Sequence, residues 1–235
     1  MKHKLIIAHR GGENSFLGLD TFHCFEKAIS SGADIVEFDV RRTKDNVYIV
    51  IHDSIIRGKK IDTLTFEHIY KYLNGNILKL EDVLRISKDR IKIYIELKEE
   101  GYEIDMINIV RKYLNIDKYA IISFNDFSIK NIKDSYPEIQ VGLILGKPIY
   151  DNSLLLKLSE LFPVKRIINS KADIVLPNWK LVKFGILPQI KSCNKPVMVW
   201  TLNNIKLMRR FLHNKRVDGI ITDNIRMAIS LRKAN

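Results

Sequence analysis

Short β-branched runs separated by longer stretches of helical spacing recur along the whole chain, and this alternation restricts the fold more than any other feature. The runs fall at Lys4–Ala8, Asp34–Val40, Val47–His52, Lys92–Leu97, Ala120–Ser123, Gln140–Leu145, Ala172–Leu176, Pro196–Thr201 and Gly219–Thr222. Helical spacing predicts helices over Thr21–Ser30, Glu103–Leu114, Phe127–Tyr136, Ile205–Leu212 and Ile225–Arg232, several opened by polar starters such as Asn125-Asp126 or Asn203-Asn204. Such alternation requires crossover connections and hence a mostly parallel sheet. One pair of runs reads as a hairpin, which leaves eight strands, the number that closes a (β/α)8 TIM barrel; 235 residues suit its usual size of about 250. The competing architecture is an open doubly wound sheet. A dinucleotide-binding version of it would carry a glycine-rich turn after the first strand, and Gly11-Gly12 lacks the G-x-G-x-x-G spacing. The expectation is one α/β domain over residues 1–235, a (β/α)8 TIM barrel with a β-hairpin excursion after the second strand.

Composition narrows the function classes. With 46% hydrophobic and 28% charged residues, and only 11 glycines and 6 prolines, disordered and collagenous readings are excluded. Cys24 and Cys193 lie too far apart in sequence to suggest a disulfide framework or a cysteine zinc site. The N-terminal apolar stretch is only Leu5–Ala8, and no stretch approaches the ~18 apolar residues of a spanning helix, so a cytoplasmic protein is expected. A formal charge of +12 favours anionic partners: phosphate esters, anionic lipid surfaces or nucleic acid. No nucleic acid is expected, because basic residues are not interleaved with stacking aromatics and no binding motif is present. The basic run from Arg209-Arg210 to Lys215-Arg216 is ordinarily a solvated helix face, and peripheral contact with anionic lipid is its other reading.

The stretch that carries chemistry is Asp34 to Asp53. Side chains alternate along a strand, so Glu37 and Asp39 share a face with Ile35 while Val36 and Phe38 point the other way. A two-residue turn at Asp45-Asn46 would set His52 opposite Asp39, and a turn at Lys44-Asp45 would set it opposite Glu37. Either register brings an imidazole to the carboxylate pair. A second group is Glu96 and Lys98, which share a face at the end of the run Lys92–Leu97, and a third is His9-Arg10-Gly11-Gly12 after the first strand. All belong to the C-terminal strand ends or to a hairpin leading back to them, where barrel enzymes build their sites. Clustered carboxylates repel one another and an anionic substrate, and a divalent cation resolves this. All-oxygen ligation by Glu37, Asp39 and Glu96 suits Mg2+ or Ca2+ better than Zn2+. Arg10 and Lys98 could then neutralise a phosphate while His9 and His52 serve as acid and base.

These residues resemble the signature of the glycerophosphodiester phosphodiesterase family. His9-Arg10-Gly11, Glu37-x-Asp39-Val40, Thr43-Lys44-Asp45 and His52-Asp53 are followed, in family order, by Leu80-Glu81-Asp82-Val83-Leu84 and Ile95-Glu96-Leu97-Lys98. Ser123-Phe124, Val199-Trp200-Thr201-Leu202-Asn203 and Asp218-Gly219-Ile220-Ile221-Thr222-Asp223 complete the match. The resemblance implies a metal-dependent phosphoric diester hydrolase that yields glycerol 3-phosphate and an alcohol. By position, Glu37, Asp39 and Glu96 would bind the metal, and His9 and His52 would form the acid-base pair. Arg10 and Lys98 would hold phosphate, with neither histidine assigned to one role. Phe124 and Trp200 are strand-end aromatics that most often pack a core; the resemblance implies that they line the glycerol or alcohol pocket. Asp223 is expected to cap the helix after the last strand. His3, His23, His68 and His213 read as structural or exposed. Two departures stand out: Leu19-Asp20-Thr21 replaces a Glu-Asn-Thr triplet, with Glu13-Asn14-Ser15 nearby, and only 27 residues separate His52 from Leu80. The short insertion suggests an open site that also admits lysophospholipids, so a lysophospholipase D-type activity is the alternative within enzymes. A non-catalytic barrel that binds anionic ligands is the alternative outside them.

Overall fold

The structure, a computed structural model, describes residues 3–12, 22–146 and 154–234, and of residues 154–156 the backbone only. The departures at Glu13-Asn14-Ser15 and Leu19-Asp20-Thr21 lie outside the described residues. Eight parallel strands make the central sheet: β1 (Leu5–His9), β2 (Ile35–Arg42), β3 (Lys92–Leu97), β4 (Tyr119–Ser123), β5 (Val141–Leu145), β6 (Ile174–Pro177), β7 (Met198–Val199) and β8 (Gly219–Thr222). Hydrogen-bonded neighbours run β6-β5-β4-β3-β2-β1-β8-β7. Two isolated bridges, Val175 with Val197 and Asn178 with Trp200, close β6 onto β7. The fold is a (β/α)8 TIM barrel, as the alternation of the sequence implies.

The period-two pattern sorts side chains into two packed layers. Ile7, Ile35, Tyr94, Ala120, Ile122, Ile144, Ile174, Leu176, Met198 and Ile221 fill the barrel interior. Ile6, Val36, Phe38, Ile93, Ile95, Ile121 and Val175 face outward into the layer shared with the helices. Helices follow the strands where asparagines supply the first-turn acceptor: Asn125 for Asp126–Ser135, Asn204 for Ile205–Leu212 and Asn224 for Ile225–Lys233. Several helices that sequence spacing does not single out are short, including Phe66–Tyr72, Leu80–Ser87, Val164–Asn169 and Ile186–Ser192. Two turns carry too few periodic positions to stand out. In Leu80–Ser87 only Leu80, Val83, Leu84, Ile86 and Ser87 are buried. No helix among the described residues is long and apolar enough to cross a membrane.

The hairpin after β2 forms, but in neither expected register. Val40 pairs with Val50, Arg41 with Ile49 and Arg42 with Tyr48, a sum of 90 that places three residues, Lys44-Asp45-Asn46, in the loop. Asn46 takes the left-handed conformation at φ 60°, and Thr43 bonds Asp45 and the amide of Val47 through its hydroxyl. The third loop residue shifts the partner strand by one position. If the ladder continued, His52 would oppose Phe38 and face the helix layer rather than the carboxylates. Instead the strand stops at Val50 and the chain bends at His52.

Gly142 tests how tightly the interior is filled. A methyl group there would lie 2.7 Å from Leu176 Cδ1 and 2.9 Å from Ile122 Cγ2. Gly142→Ala is expected to destabilise the barrel by about 1–3 kcal/mol, read as a lower urea midpoint at unchanged slope.

Candidate active site

At the C-terminal ends of the strands lies a cleft of about 650 Å3 with two unlike walls. His9, Arg10, Glu37, Arg41, His52, Glu96, Lys98 and Glu99 line the side built by β1, β2 and β3; Ile122, Phe124, Ile144, Leu176, Trp200 and Ile221 line the other. Every residue singled out from the sequence as metal ligand, acid-base group or phosphate holder falls on this cleft or on the buried cluster at its floor.

Strand register brings the carboxylates together. Asp39 is the cross-strand partner of Glu96, and Glu37 the partner of His9. Glu37, Asp39 and Glu96 are all buried, and a carboxylate oxygen from each lies within 4.8 Å of the others. Lys98 Nζ reaches Glu96 Oε1 at 2.6 Å and Asp39 Oδ1 at 3.0 Å, and the backbone N–H of Arg10 donates to Glu37 Oε2 at 3.2 Å. Burial works to raise the Asp39 pKa, but Lys98 and Arg10 outweigh it and hold the carboxyl below the usual carboxylate range. Glu96 goes the other way. Burial and repulsion from Asp39 push it up to about 7. Burial disfavours a charged Lys98, yet Glu96 and Asp39 hold its ammonium above the ordinary lysine value.

Lys98 and Arg10 do not keep all three carboxyls ionised in this water-poor floor, since Glu96 is pushed toward its neutral form. Arg10 Nε lies 3.0 Å from Asp39 Oδ2, close enough to attract but not aligned to hydrogen-bond, so both buried atoms lack a hydrogen-bond partner among the described residues. An all-oxygen donor set with an orphaned carboxylate oxygen and a repelled neighbour fits a hard divalent cation.

The two histidines are held alike. His9 Nδ1 donates to Asp223 Oδ1 at 2.6 Å, and His52 Nδ1 donates to Asp53 Oδ1 at 2.8 Å. In each ring this leaves Nε2 for proton exchange with a ligand. Burial lowers the pKa of His52 despite the opposing pull of Asp53 and Asp39, which favours the neutral ring. Asp223 is itself fixed by Asn203, whose amide nitrogen bonds its carboxylate and whose carbonyl oxygen accepts from Asp223 N at 3.0 Å. Burial works to raise the Asp223 pKa, but His9 and Asn203 outweigh it, leaving a carboxylate. Asp223 is therefore not the helix cap expected from its position; Asn224 takes that part. The clue available in the sequence was the acidic residue at the exit of the last strand, which neighbours the first in any closed barrel.

Backbone turns aim the remaining groups. Arg10, Gly11 and Gly12 all have positive φ, at 49°, 72° and 92°, and a Cβ on Gly11 would strike that of Cys24 at 2.8 Å. This left-handed turn carries Arg10 back over Asp39. His52 is retrieved from the wrong face of the hairpin by Arg41, whose Nε and Nη2 donate to its carbonyl at 2.9 and 2.6 Å. Arg41 also pairs with Glu99, and Tyr102 donates to Glu99 Oε2 at 3.1 Å. On the opposite wall Phe124 and Trp200 meet edge to face, centroids 5.6 Å apart, and Trp200 Nε1 donates to Leu176 O at 2.7 Å. Both are partly exposed cleft walls rather than pure core.

Arg41→Lys cannot reproduce the two-pronged grip on the His52 carbonyl. Losing hydrogen bonds to a charged group, worth about 1.5–3 kcal/mol, is expected to speed amide hydrogen exchange in segment 51–54 by tenfold or more, with the barrel strands unchanged.

Comparison with known proteins points to one family. The model of the glycerophosphoryl diester phosphodiesterase family matches residues 9–227. The chain is 27% identical over 252 residues to a glycerophosphodiester phosphodiesterase of Caldanaerobacter subterraneus subsp. tengcongensis, covering 97% of each. Among solved structures it superposes on a Thermotoga maritima glycerophosphodiester phosphodiesterase with a TM-score of 0.78 at 24% identity, over 98% of this chain and 99% of the other. It also superposes on an Oleispira antarctica phosphodiesterase in complex with its product sn-glycerol-3-phosphate, with a TM-score of 0.79 at 20% identity, over 97% and 96%.

Proposed function

The chain belongs to the glycerophosphoryl diester phosphodiesterase family, and on that premise we propose that it hydrolyses glycerophosphodiesters to glycerol 3-phosphate and an alcohol, with residues 1–235 forming one catalytic barrel domain. The observation that carries this reading is the meeting, in one cleft, of two carboxylate-held histidines with a buried trio of carboxylates and two cations. Glu37, Asp39 and Glu96 would hold Mg2+ or Ca2+, which when bound supplies positive charge to the phosphate and to the charge that develops on it. The ion would also favour the ionised form of Glu96 and add positive charge for a phosphodiester anion.

The chain's own residues do the rest. Lys98 and Arg10, both beside Asp39, contribute positive charge for the phosphoryl oxygens. One imidazole takes the proton of the glycerol 2-hydroxyl as that oxygen attacks phosphorus; the other protonates the departing alkoxide. Water then opens the cyclic phosphate with the roles reversed. Asp223 and Asp53 orient the two rings and stabilise each when it becomes imidazolium. The apolar wall of Ile122, Phe124, Leu176 and Trp200 receives the carbon skeleton of glycerol or of the alcohol.

The lysophospholipase D-type reading is supported by the openness of one side. From the segment between His52 and Leu80 only Asp53 and Ser54 reach the cleft. The rest packs on its own small core of Ile49, Ile51, Ile61, Leu64, Ile69 and Ile77.

The deciding assay measures glycerol 3-phosphate released from glycerophosphocholine and choline released from lysophosphatidylcholine, each with Mg2+, Ca2+ or chelator. Cation-dependent turnover of the first is the expected result; turnover of the second alone would favour the lysophospholipid reading. Undiminished rates in chelator would overturn the metal role. His9→Ala and His52→Ala are each expected to lower kcat by about 10^2–10^4-fold, while diester binding without turnover in the wild type would favour a ligand-binding barrel. Asp39→Asn and Glu37→Gln should weaken the cation at least tenfold in calorimetry. Asp223→Asn should cost kcat about 10–100-fold with KM little changed, because it misorients His9 without touching substrate.

A further inference from the structure

We propose that the rim beyond β4, β5 and β6 is a docking surface for an anionic lipid bilayer. Three phenylalanines there stand in water: Phe127 is 63% exposed, Phe162 64% and Phe184 70%. All three belong to segments that follow β4, β5 and β6.

Hydrogen bonds place each of them at the catalytic end of the barrel. Phe127 follows Asn125, a cleft residue at the exit of β4. Phe162 lies between two anchored neighbours. Glu160 accepts from Gly146 N at 2.7 Å at the exit of β5, and Arg166 binds Asp126 at 2.7 Å and the Phe124 carbonyl at 3.3 Å at the exit of β4. Phe184 lies two residues beyond the short helix Trp179–Val182, which follows β6 directly and where Trp179 N bonds Trp200 O at 2.9 Å.

Charge selects the partner. Between residues 154 and 185 the only carboxylates are Glu160 and Asp173. Glu160 is buried against Arg166, and Asp173 is held by Lys133. Lys157, Lys165, Lys180 and Lys183 are exposed, and none has a carboxylate partner among the described residues. Lys183 Nζ lies 4.5 Å from the centroid of the Trp179 ring. Separate aromatic side chains interspersed with lysines suit a headgroup layer, where the rings enter the boundary and the ammonium groups meet phosphate. The apolar cleft wall of Phe124, Leu176 and Trp200 opens on the same side. The basic run Arg209 to Arg216 does not share this face, since it leads into the N-terminal end of β8 at the opposite end of the barrel. That the bilayer would also present substrate rests on the proposed diesterase reading; docking itself does not.

The test is co-sedimentation of the full chain with sucrose-loaded vesicles of phosphatidylcholine alone or mixed with phosphatidylglycerol. Binding to the anionic vesicles, weakened by salt, is expected. Lys180→Glu/Lys183→Glu should lower the partition coefficient by about thirtyfold or more, and Phe162→Ser/Phe184→Ser by about tenfold. Both variants should keep the wild-type melting temperature and their rate on soluble glycerophosphocholine, which separates docking from folding and from catalysis. Equal binding to both vesicle types, unchanged partition of either variant, or loss only when Arg209, Arg210, Lys215 and Arg216 are replaced would overturn the proposal. Failure of all diesterase activity with vesicle binding intact would overturn the catalytic reading and leave the docking surface standing.

Discussion

Everything in the cleft depends on how Asp39 and Glu96 are compensated. Parallel register sets them side by side on adjacent strands, deep enough that water screens little of their repulsion. Lys98, two residues beyond Glu96 on the same face, touches both, and the left-handed turn after β1 brings Arg10 to Asp39. The compensation is incomplete, and the evidence is local: a carboxylate oxygen without a hydrogen-bond partner, and a glutamate pushed toward neutrality by its neighbour. A purely structural ion pair would be expected to close its own accounts more fully. Deficits of this kind are characteristic of sites that wait for a further charged participant.

Around that floor the barrel distributes work by strand. β1, β2 and β3 bring the charged groups, and the β2–β3 ladder, with six paired positions, is the longest. β4 to β8 bring the apolar wall. The histidines come from places of different rigidity. His9 ends a strand and rests on Asp223, which Asn203 holds in turn. His52 sits on a bend outside any ladder and depends on Arg41 gripping its backbone. One imidazole is thus fixed by the sheet and the other by a side chain reaching across the hairpin.

Much of this was legible in the sequence, because period-two alternation is a local signal that tertiary contacts rarely reverse. It fixed the inward faces of Glu37, Asp39, Glu96 and Lys98, and with the strand count it specified the barrel. The ordered motifs pointed to the residues that line the cleft. What stayed hidden was whatever depends on a single extra residue or on closure. Asn46 in a left-handed conformation turned a two-residue loop into three and moved His52 off both expected partners. Asp223 looked like a helix cap because nothing local says that the last strand lies against the first. The short helices escaped notice because two turns hold too few apolar positions to show a period.

The closure of the barrel is its thinnest join. β7 has two residues, and only isolated bridges tie it to β6. Trp200 spans this join three ways: its N–H bonds Pro177 O at 3.2 Å, its carbonyl receives Trp179 N at 2.9 Å, and its indole bonds Leu176 O at 2.7 Å. The same ring forms half of the aromatic wall. The charged wall and the aromatic wall therefore belong to parts of the sheet that are paired to different extents. On the proposed function, easing β7 against β6 would widen the apolar wall for a bulkier alcohol while the carboxylates and imidazoles on the far side keep their spacing. On that reading Trp200 is the hinge pin where the shape of the apolar wall and the integrity of the barrel become one property.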